Sequence, residues 1–377
     1  MEGLGMSQTG EVTEKATEKT KEFYQGKRVF LTGHTGFKGT WLAWWLKRMG
    51  AEVTGYALAP EKDRPSLFEL TQLQSEVQSV EADLRDYAKL KTSLEASQPQ
   101  IVFHLAAQAL VLDSYQDPRG TYETNVMGTI NLLDAIREVP SVRSVVVVTT
   151  DKCYDNQEWL WPYRETDALG GKDPYSSSKA MAELAASAYR QSFFNERADF
   201  GLATARAGNV IGGGDFARYR IIPDIVAALG KKQPVVLRHP QAVRPWQHVL
   251  DALHGYLQLG QKLWQEPNRF SSAFNFSTLD NSKDHTVQYV TEKFIHILGF
   301  GEYQIDPQTR LAPEAHLLQL DSSKARAELG WQPQLLTDQA IEFTVDWYKS
   351  YLSQSSADSL REITFSQIQK FLNGREQ

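Results

Sequence analysis

The chain has a single cysteine, Cys153, in 377 residues, so it can form no internal disulfide and a reducing compartment is the expectation. No apolar run comes near the roughly 18 residues that a membrane span requires. The N-terminus lacks the basic head and apolar middle of a secretory signal. Basic charge is also short: the formal net charge of −6 offers nothing to nucleic acid and reads as solubility rather than as a partner. The expectation is a cytoplasmic protein with no membrane, no nucleic acid and no metal. With 41% apolar and 23% charged residues the composition is globular, and the length is ample for a buried core.

Residues 1–24 are rich in Glu, Lys, Thr and Gly and read as a disordered or fraying tail. After them, short apolar runs alternate with helical patterns. Strands are expected at 27–32, 52–56, 76–80, 101–104, 144–149 and 200–205, with helices at 86–96, 121–138 and 175–194 between them. That alternation implies parallel pairing through right-handed crossovers. The fold class is α/β: a Rossmann-like doubly wound parallel sheet with a smaller mixed α/β C-terminal domain. A boundary near 206 divides a dinucleotide-binding part (25–206) from a substrate part (207–377), with chain exchange between the two lobes left open.

Gly33, Gly36 and Gly39 space a Gly-x-x-Gly-x-x-Gly turn between the first strand and a helix. Glycines there permit a tight turn and close approach of backbone N–H groups to a pyrophosphate at the positive helix end. Phe37 and Lys38 lie in the same turn, and Lys38 is a candidate phosphate contact. Asp83 and Leu84 follow the third strand and are candidates for holding an adenine, although Asp83 reads equally well as a helix-starting residue. Ala106, Ala107 and Gln108 follow the fourth strand and are candidates to line the cofactor channel. No acidic residue ends the second strand, so NAD and NADP stay undecided on these residues. His34 and His104 read as structural, and Trp41, Trp44 and Trp45 as core.

Tyr175 and Lys179 are four apart on one helix face, which places an ammonium near a phenol. An unperturbed phenol titrates near ~10, and a neighbouring cation favours the phenolate. The pair can take a proton from a hydroxyl while a hydride leaves the same carbon. Thr150, Asp151 and Lys152 follow the fifth strand, and the Asp–Lys couple is more than redox chemistry needs. Elimination of water needs it. For Lys152 to act as a base, its environment has to favour the neutral amine.

With Gly33-His-Thr-Gly-Phe-Lys-Gly39, Thr150-Asp-Lys-Cys-Tyr154, Asp173-Pro-Tyr-Ser-Ser-Ser-Lys179, Arg206-Ala-Gly-Asn209, Gly213-Gly-Asp215, Arg244-Pro-Trp246 and Leu320-Asp-Ser-Ser-Lys324 in family order, the chain resembles the extended short-chain dehydrogenase/reductase superfamily. Within it, the chain is similar to the CDP-glucose 4,6-dehydratase family. The resemblance implies NAD that cycles within each turnover, and CDP-glucose or a similar nucleotide-sugar as substrate. It also implies a homodimer packed through the helices that carry Tyr175 and Asn125. Asn125 resembles the superfamily's asparagine that orders a water or a backbone kink beside the Tyr/Lys pair. The implied roles are Tyr175 as base on the 4-hydroxyl, Lys179 as its pKa-lowering partner, Thr150 as hydroxyl ligand, Asp151 as acid and Lys152 at position 5. Asn209, Arg218, Arg220 and Arg244 are the candidate ligands of the sugar-nucleotide pyrophosphate. A 4-epimerase of the same superfamily is the alternative, and a catalytically silent dinucleotide-binding sensor the remote one.

Overall fold

In the computed structural model, residues 20–278, 285–306 and 317–374 are described. The first half alternates β1 (Arg28–Thr32), α1 (Phe37–Arg48), β2 (Glu52–Ala57), β3 (Gln78–Glu81), α2 (Tyr87–Ser97), β4 (Ile101–His104), α3 (Gly128–Arg137), β5 (Ser144–Val148), α4 (Pro174–Tyr189) and β6 (Gly201–Ala207). There follow β7 (Val210–Ile211), α5 (Ile221–Gly230), β8 (Val235–Leu237), β9 (Gln247–His248), α6 (Val249–Gln265), β10 (Ala273–Phe276), α7 (Val287–Leu298), β11 (Tyr303–Ile305), α8 (Thr337–Leu352) and α9 (Ala357–Asn373).

Seven strands form one sheet in the order β10-β6-β5-β4-β1-β2-β3, and every neighbouring pair is parallel. Both faces are covered, as parallel pairing demands, so its central strands are apolar throughout rather than alternating. In β5 the pleat sends Val146 and Val148 to the core under α1 and α6, and Val145 and Val147 to the core under α2 and α3. β10 comes from well beyond residue 206 and pairs with β6, so the sheet is shared by both halves of the chain. The second half adds two short parallel pairs, β7 with β9 and β8 with β11.

Three details depart from the sequence reading. The expected tail is folded by its end: Tyr24 is fully buried and its hydroxyl donates to Leu257 O of α6 at 2.8 Å. The helix expected at 121–138 carries a π turn, Glu123–Met127, ahead of α3. Finally, α9 had no counterpart in the expectations. It lays Phe365 against Trp44 and Phe371 against Trp45, edge to face, closing the outer side of α1. The three tryptophans of α1 are core, as expected. Trp41 also donates through Nε1 to Gly213 O at 2.9 Å, tying the first helix to the loop before α5.

Candidate active site

The glycine turn leads from β1 into α1. Gly33 has φ +78°, and a Cβ there would come within 2.7 Å of Ala106 N; a Cβ on Gly39 would meet Gly33 O at 2.0 Å. Both glycines are required by the fold itself. Gly36 is different. It is exposed at the N-terminus of α1, and a Cβ would meet only Gly33 O, at 3.4 Å. No side chain caps that helix end. The protein does not need a glycine at 36, but an anion approaching the uncapped N–H groups does, so the turn fits a dinucleotide pyrophosphate.

The floor behind the turn is a hydrogen-bonded relay. His104 Nδ1 lies 2.8 Å from Thr32 Oγ1, and its Nε2 lies 3.0 Å from Thr129 Oγ1. Burial drives this histidine down to about 3 and keeps it neutral. Thr32 Oγ1 also accepts from the amides of Leu105 and Ala106, at 3.1 Å each. Buried His34 reaches Ser79 through Nε2 at 2.7 Å. Both histidines are therefore structural. Asn125, inside the π turn, accepts from Gln108 N at 2.8 Å and donates to Gln108 O at 3.0 Å and Ser178 Oγ at 2.9 Å. The π turn brings this amide against α4, so Asn125 links the loop Ala106–Ala107–Gln108 to the helix of Tyr175. Asp83 forms an ion pair with Arg85 at 2.6 Å, and its carbonyl accepts from Tyr56 at 2.9 Å; Leu84 is buried, and its carbonyl accepts from Asn131 at 2.9 Å.

α4 begins on a strong cap: Asp173 accepts from Ser176 N at 2.9 Å and Pro174 fills the first turn. That start fixes Tyr175 and Lys179 one turn apart, both almost fully buried. Lys179 Nζ donates to Val148 O at 3.2 Å, at the end of β5. The next residues, Thr149 and Thr150, lead into a single 3₁₀ turn, Asp151–Cys153. Within it Thr150 Oγ1 donates to Asp151 Oδ1 at 2.9 Å.

Charges converge here. Asp151 is buried, and burial raises its carboxyl pKa against the pull of Lys152, the Thr150 hydroxyl, Arg244 and Lys38. Burial also lowers Lys179 and Lys38 to about 8, and Arg220 and Lys179 push Lys38 the same way. Lys38 thus faces Asp151, Asp215, Arg220 and Lys179, which places it in the catalytic cluster as well as in the glycine turn. Tyr175 runs against the sequence reading. Burial pushes it up to about 12, and the groups pulling it down are the Thr150 hydroxyl and Arg220. With burial dominant, the lysine one turn away does not turn the phenol into a phenolate.

The second half supplies the other wall. Pairing of β7 with β9 sets Asn209 beside Gln247, whose amide donates to Asn209 O at 3.0 Å. A Cβ on Gly208 would lie 3.2 Å from Asp151 Oδ2 and 3.4 Å from Pro245, so both segments flank the catalytic turn. Arg220 donates to Asp215 at 2.9 Å and its charge bears on Tyr175; Arg244 bears on Asp151. Arg218 is exposed and ion-paired with Asp63, pointing away from this group. A separate surface groove of about 570 Å³, between β2, β3 and α2, is lined by none of these residues.

The sequence pattern of the GDP-mannose 4,6 dehydratase family matches residues 30–344. The chain belongs to this family. It is 48% identical over 337 residues to the CDP-glucose 4,6-dehydratase of Salmonella typhimurium (strain LT2), covering 88% of this chain and 93% of that one. A dTDP-glucose 4,6-dehydratase of Xanthomonas campestris pv. campestris (strain B100) is 26% identical over 287 residues, 71% of this chain and 78% of its own length. Among solved structures, the UDP-glucose 4-epimerase of Thermus thermophilus in complex with NAD superposes with a TM-score of 0.71 at 26% identity, covering 85% of this chain and 98% of the other.

For a member of this family, the sequence reading missed one group altogether. Glu183, one turn beyond Lys179, is buried against Arg206, with Nη2 to Oε2 at 2.8 Å. Arg206 Nη1 reaches the Tyr154 hydroxyl at 2.8 Å. The i+4 spacing from Lys179 was the available signal for Glu183. Its partner on β6, 23 residues on, was not readable without the fold.

Proposed function

We propose that the chain is an NAD-dependent nucleotide-sugar 4,6-dehydratase that converts CDP-glucose to CDP-4-keto-6-deoxyglucose. The reading is carried by one observation: a protonatable Asp151 and Lys152 occupy a turn beside the buried Tyr175–Lys179 pair. A 4-epimerase needs only the latter pair, and 48% identity to a CDP-glucose 4,6-dehydratase supports the same choice. Gly33, Gly36, Phe37, Lys38 and Gly39 would hold the cofactor's pyrophosphate, with Asp83, Leu84, Ala106, Ala107, Gln108 and Asn125 along its length. Arg64 is paired with Glu61 and Asp63 of its own loop, which favours NAD over a cofactor with an extra phosphate to be gripped there.

When bound, an oxidised nicotinamide would supply the acceptor for the C4 hydride and the donor of that hydride to C6, so the net change is loss of one water. Tyr175 takes the 4-hydroxyl proton, with Thr150 and Arg220 stabilising the phenolate as it forms. The 4-ketone then acidifies the 5-hydrogen, whose proton passes to Lys152 and later returns to C5. Asp151, whose carboxyl burial shifts toward the protonated form, would donate a proton to the departing 6-hydroxyl. Lys179 supplies the nearby positive charge and would reach the nicotinamide ribose. Asn209, Arg220 and Arg244 would receive the substrate pyrophosphate.

Tyr115, Met127, Met181, Leu184 and Phe193 are large apolar side chains left exposed around α4 and the π turn. Met181 and Leu184 are three apart and share one face of α4. This face would pair with its own copy about a two-fold axis, giving a homodimer that light scattering checks. The function is tested by incubating the protein and NAD with CDP-, dTDP-, UDP- and GDP-hexoses and weighing the products. Loss of one water from the CDP-sugar is expected. An unchanged mass with an inverted hydroxyl would replace this reading with the epimerase.

A further inference from the structure

The turn that carries Asp151 and Lys152 is weakly held by its own bonds. Cys153 N to Thr150 O and Tyr154 N to Asp151 O are both 3.4 Å, and Lys152 N to Thr150 Oγ1 is 3.3 Å, all longer than well-made amide hydrogen bonds. Its two shoulders are held much better. On one side the Thr149 hydroxyl donates to Glu183 Oε1. On the other the Tyr154 hydroxyl accepts from Arg206 Nη1 at 2.8 Å and donates to Asn275 Oδ1 at 2.7 Å. Glu183 and Arg206 are bound to each other, and Thr204 donates to the same carboxylate at 2.6 Å. Asn275, on β10, is fastened in turn by its side-chain amide, which donates to Tyr163 O at 2.9 Å and Asp321 O at 3.2 Å, and by its backbone N–H, which donates to Glu165 Oε1 at 2.8 Å.

We infer that the buried Glu183–Arg206 pair, with Thr149, Tyr154 and Asn275, is a positioning unit that clamps both shoulders of the turn Asp151–Cys153 and sets the dehydration half of the reaction. Tyr175 has separate anchors: the Asp173 cap below it and the Asn125–Ser178 contact beside it. The oxidation half therefore depends on the clamp only through Thr150 and the charge of Lys179, and less than the dehydration half does. Glu183 and Arg206 are both buried, so they act through the turn. The inference rests on the dehydratase reading for its kinetic part only.

Tyr154→Phe and Thr149→Val each remove one shoulder's hydrogen bond and keep the side chain's shape. The Tyr154 ring retains its stack on Tyr163, centroids 5.2 Å apart. In single turnover with NAD and CDP-glucose, each variant is expected to lose water on the order of tenfold more slowly, as a misplaced acid/base couple would. Formation of transient reduced cofactor should slow by only about two- to threefold, since Tyr175 keeps its own anchors and loses at most part of the Thr150 contact. Amide hydrogen exchange across 149–155 should quicken in both variants, with 174–182 unchanged. Oxidation and water loss falling in equal proportion would overturn the inference, and so would unaltered exchange across the turn. If the unmodified protein neither reduces cofactor nor loses water from any nucleotide-sugar, the function reading fails while the exchange measurement still decides the clamp. Should either variant fail to fold, the other carries the test alone.

Discussion

Above and below the turn 151–153 the protein buries a carboxylate, and the two are treated differently. On the underside Glu183 accepts from Thr149, Thr204 and Arg206. Both oxygens of that carboxylate are met by Thr149 just past β5 and by Thr204 and Arg206 on β6, and breaking the pair would strand a buried charge. On the cleft side Asp151 accepts from Thr150, while burial pushes its pKa up despite four cationic or donor groups nearby. A carboxylate with both oxygens satisfied in this way holds one geometry. A partly satisfied group in a cleft can exchange a proton with something that arrives later. The contrast separates structure from chemistry more sharply than residue type does, since both groups are simply buried acids.

The largest expected effect breaks the cleft side at its centre. Tyr175→Phe removes the acceptor of the 4-hydroxyl proton without disturbing α4, whose cap is Asp173. The rate of cofactor reduction in single turnover should fall about 10³-fold, within the range for a positioned acid/base group. An unaltered burst of near-ultraviolet absorbance would remove Tyr175 from the chemistry. Next come the elimination residues. Asp151→Asn and Lys152→Ala should retain cofactor binding and the first oxidation but slow water loss about 10²-fold. Lys152→Arg sharpens the assignment, because arginine keeps the charge and cannot act as a base. If it restores exchange of the 5-hydrogen with deuterated solvent, Lys152 works by charge alone.

How much of this was legible in sequence follows the same division. The glycine turn, the β5–turn junction and the start of α4 are contiguous segments whose spacing carries their meaning. Gly33, Thr150, Asp151, Tyr175 and Lys179 were all readable there. The sheet was readable too, because strand and helix periods alternate cleanly up to β6. Long-range partners were not. Glu183 finds Arg206, Tyr154 finds Asn275 across 121 residues, and Lys38 comes to face Asp151 only when the sheet order places β1 and β5 on either side of β4. Nothing local in α9 announces that it will cover Trp44 and Trp45. The phenol of Tyr175 shows the limit in energetic form: spacing gives the neighbouring lysine, while burial, which spacing does not report, decides the direction of the shift.

A pH profile tests the same contrast with a smaller effect. Burial lowers Lys179 to about 8, with Glu183 and Cys153 pulling the other way; Lys38, His104 and Tyr175 also face this cluster. The lysine is therefore charged below about pH 8 and neutral above it. With substrate bound, its charge would add to Thr150 and Arg220 in favouring the phenolate as it forms, so the oxidation rate should fall as pH rises through about 8. Lys179→Arg stays cationic and should carry that limb to higher pH. A limb that does not move assigns it to another group, with Lys38 the first to examine, since its burial gives it the same value.

The smallest effect is expected at Arg218. Residue type and its position after the Gly213-Gly-Asp215 signature made it a candidate for the substrate pyrophosphate together with Arg220 and Arg244. In the fold, Arg220 is held by buried Asp215 and bears on Tyr175, and Arg244 bears on Asp151, whereas Arg218 reaches outward to Asp63. Both members of that pair are about half exposed, where water and salt screen the attraction and the ordering of two long side chains opposes it. Arg218→Ala should therefore change KM by less than about twofold, whereas Arg220→Ala, which strips a charge from beside the phenol, should raise KM and lower kcat together. A tenfold rise in KM for Arg218→Ala would mean that the guanidinium leaves Asp63 when substrate arrives. The loop at 59–64 would then belong to the binding site rather than to the outer surface.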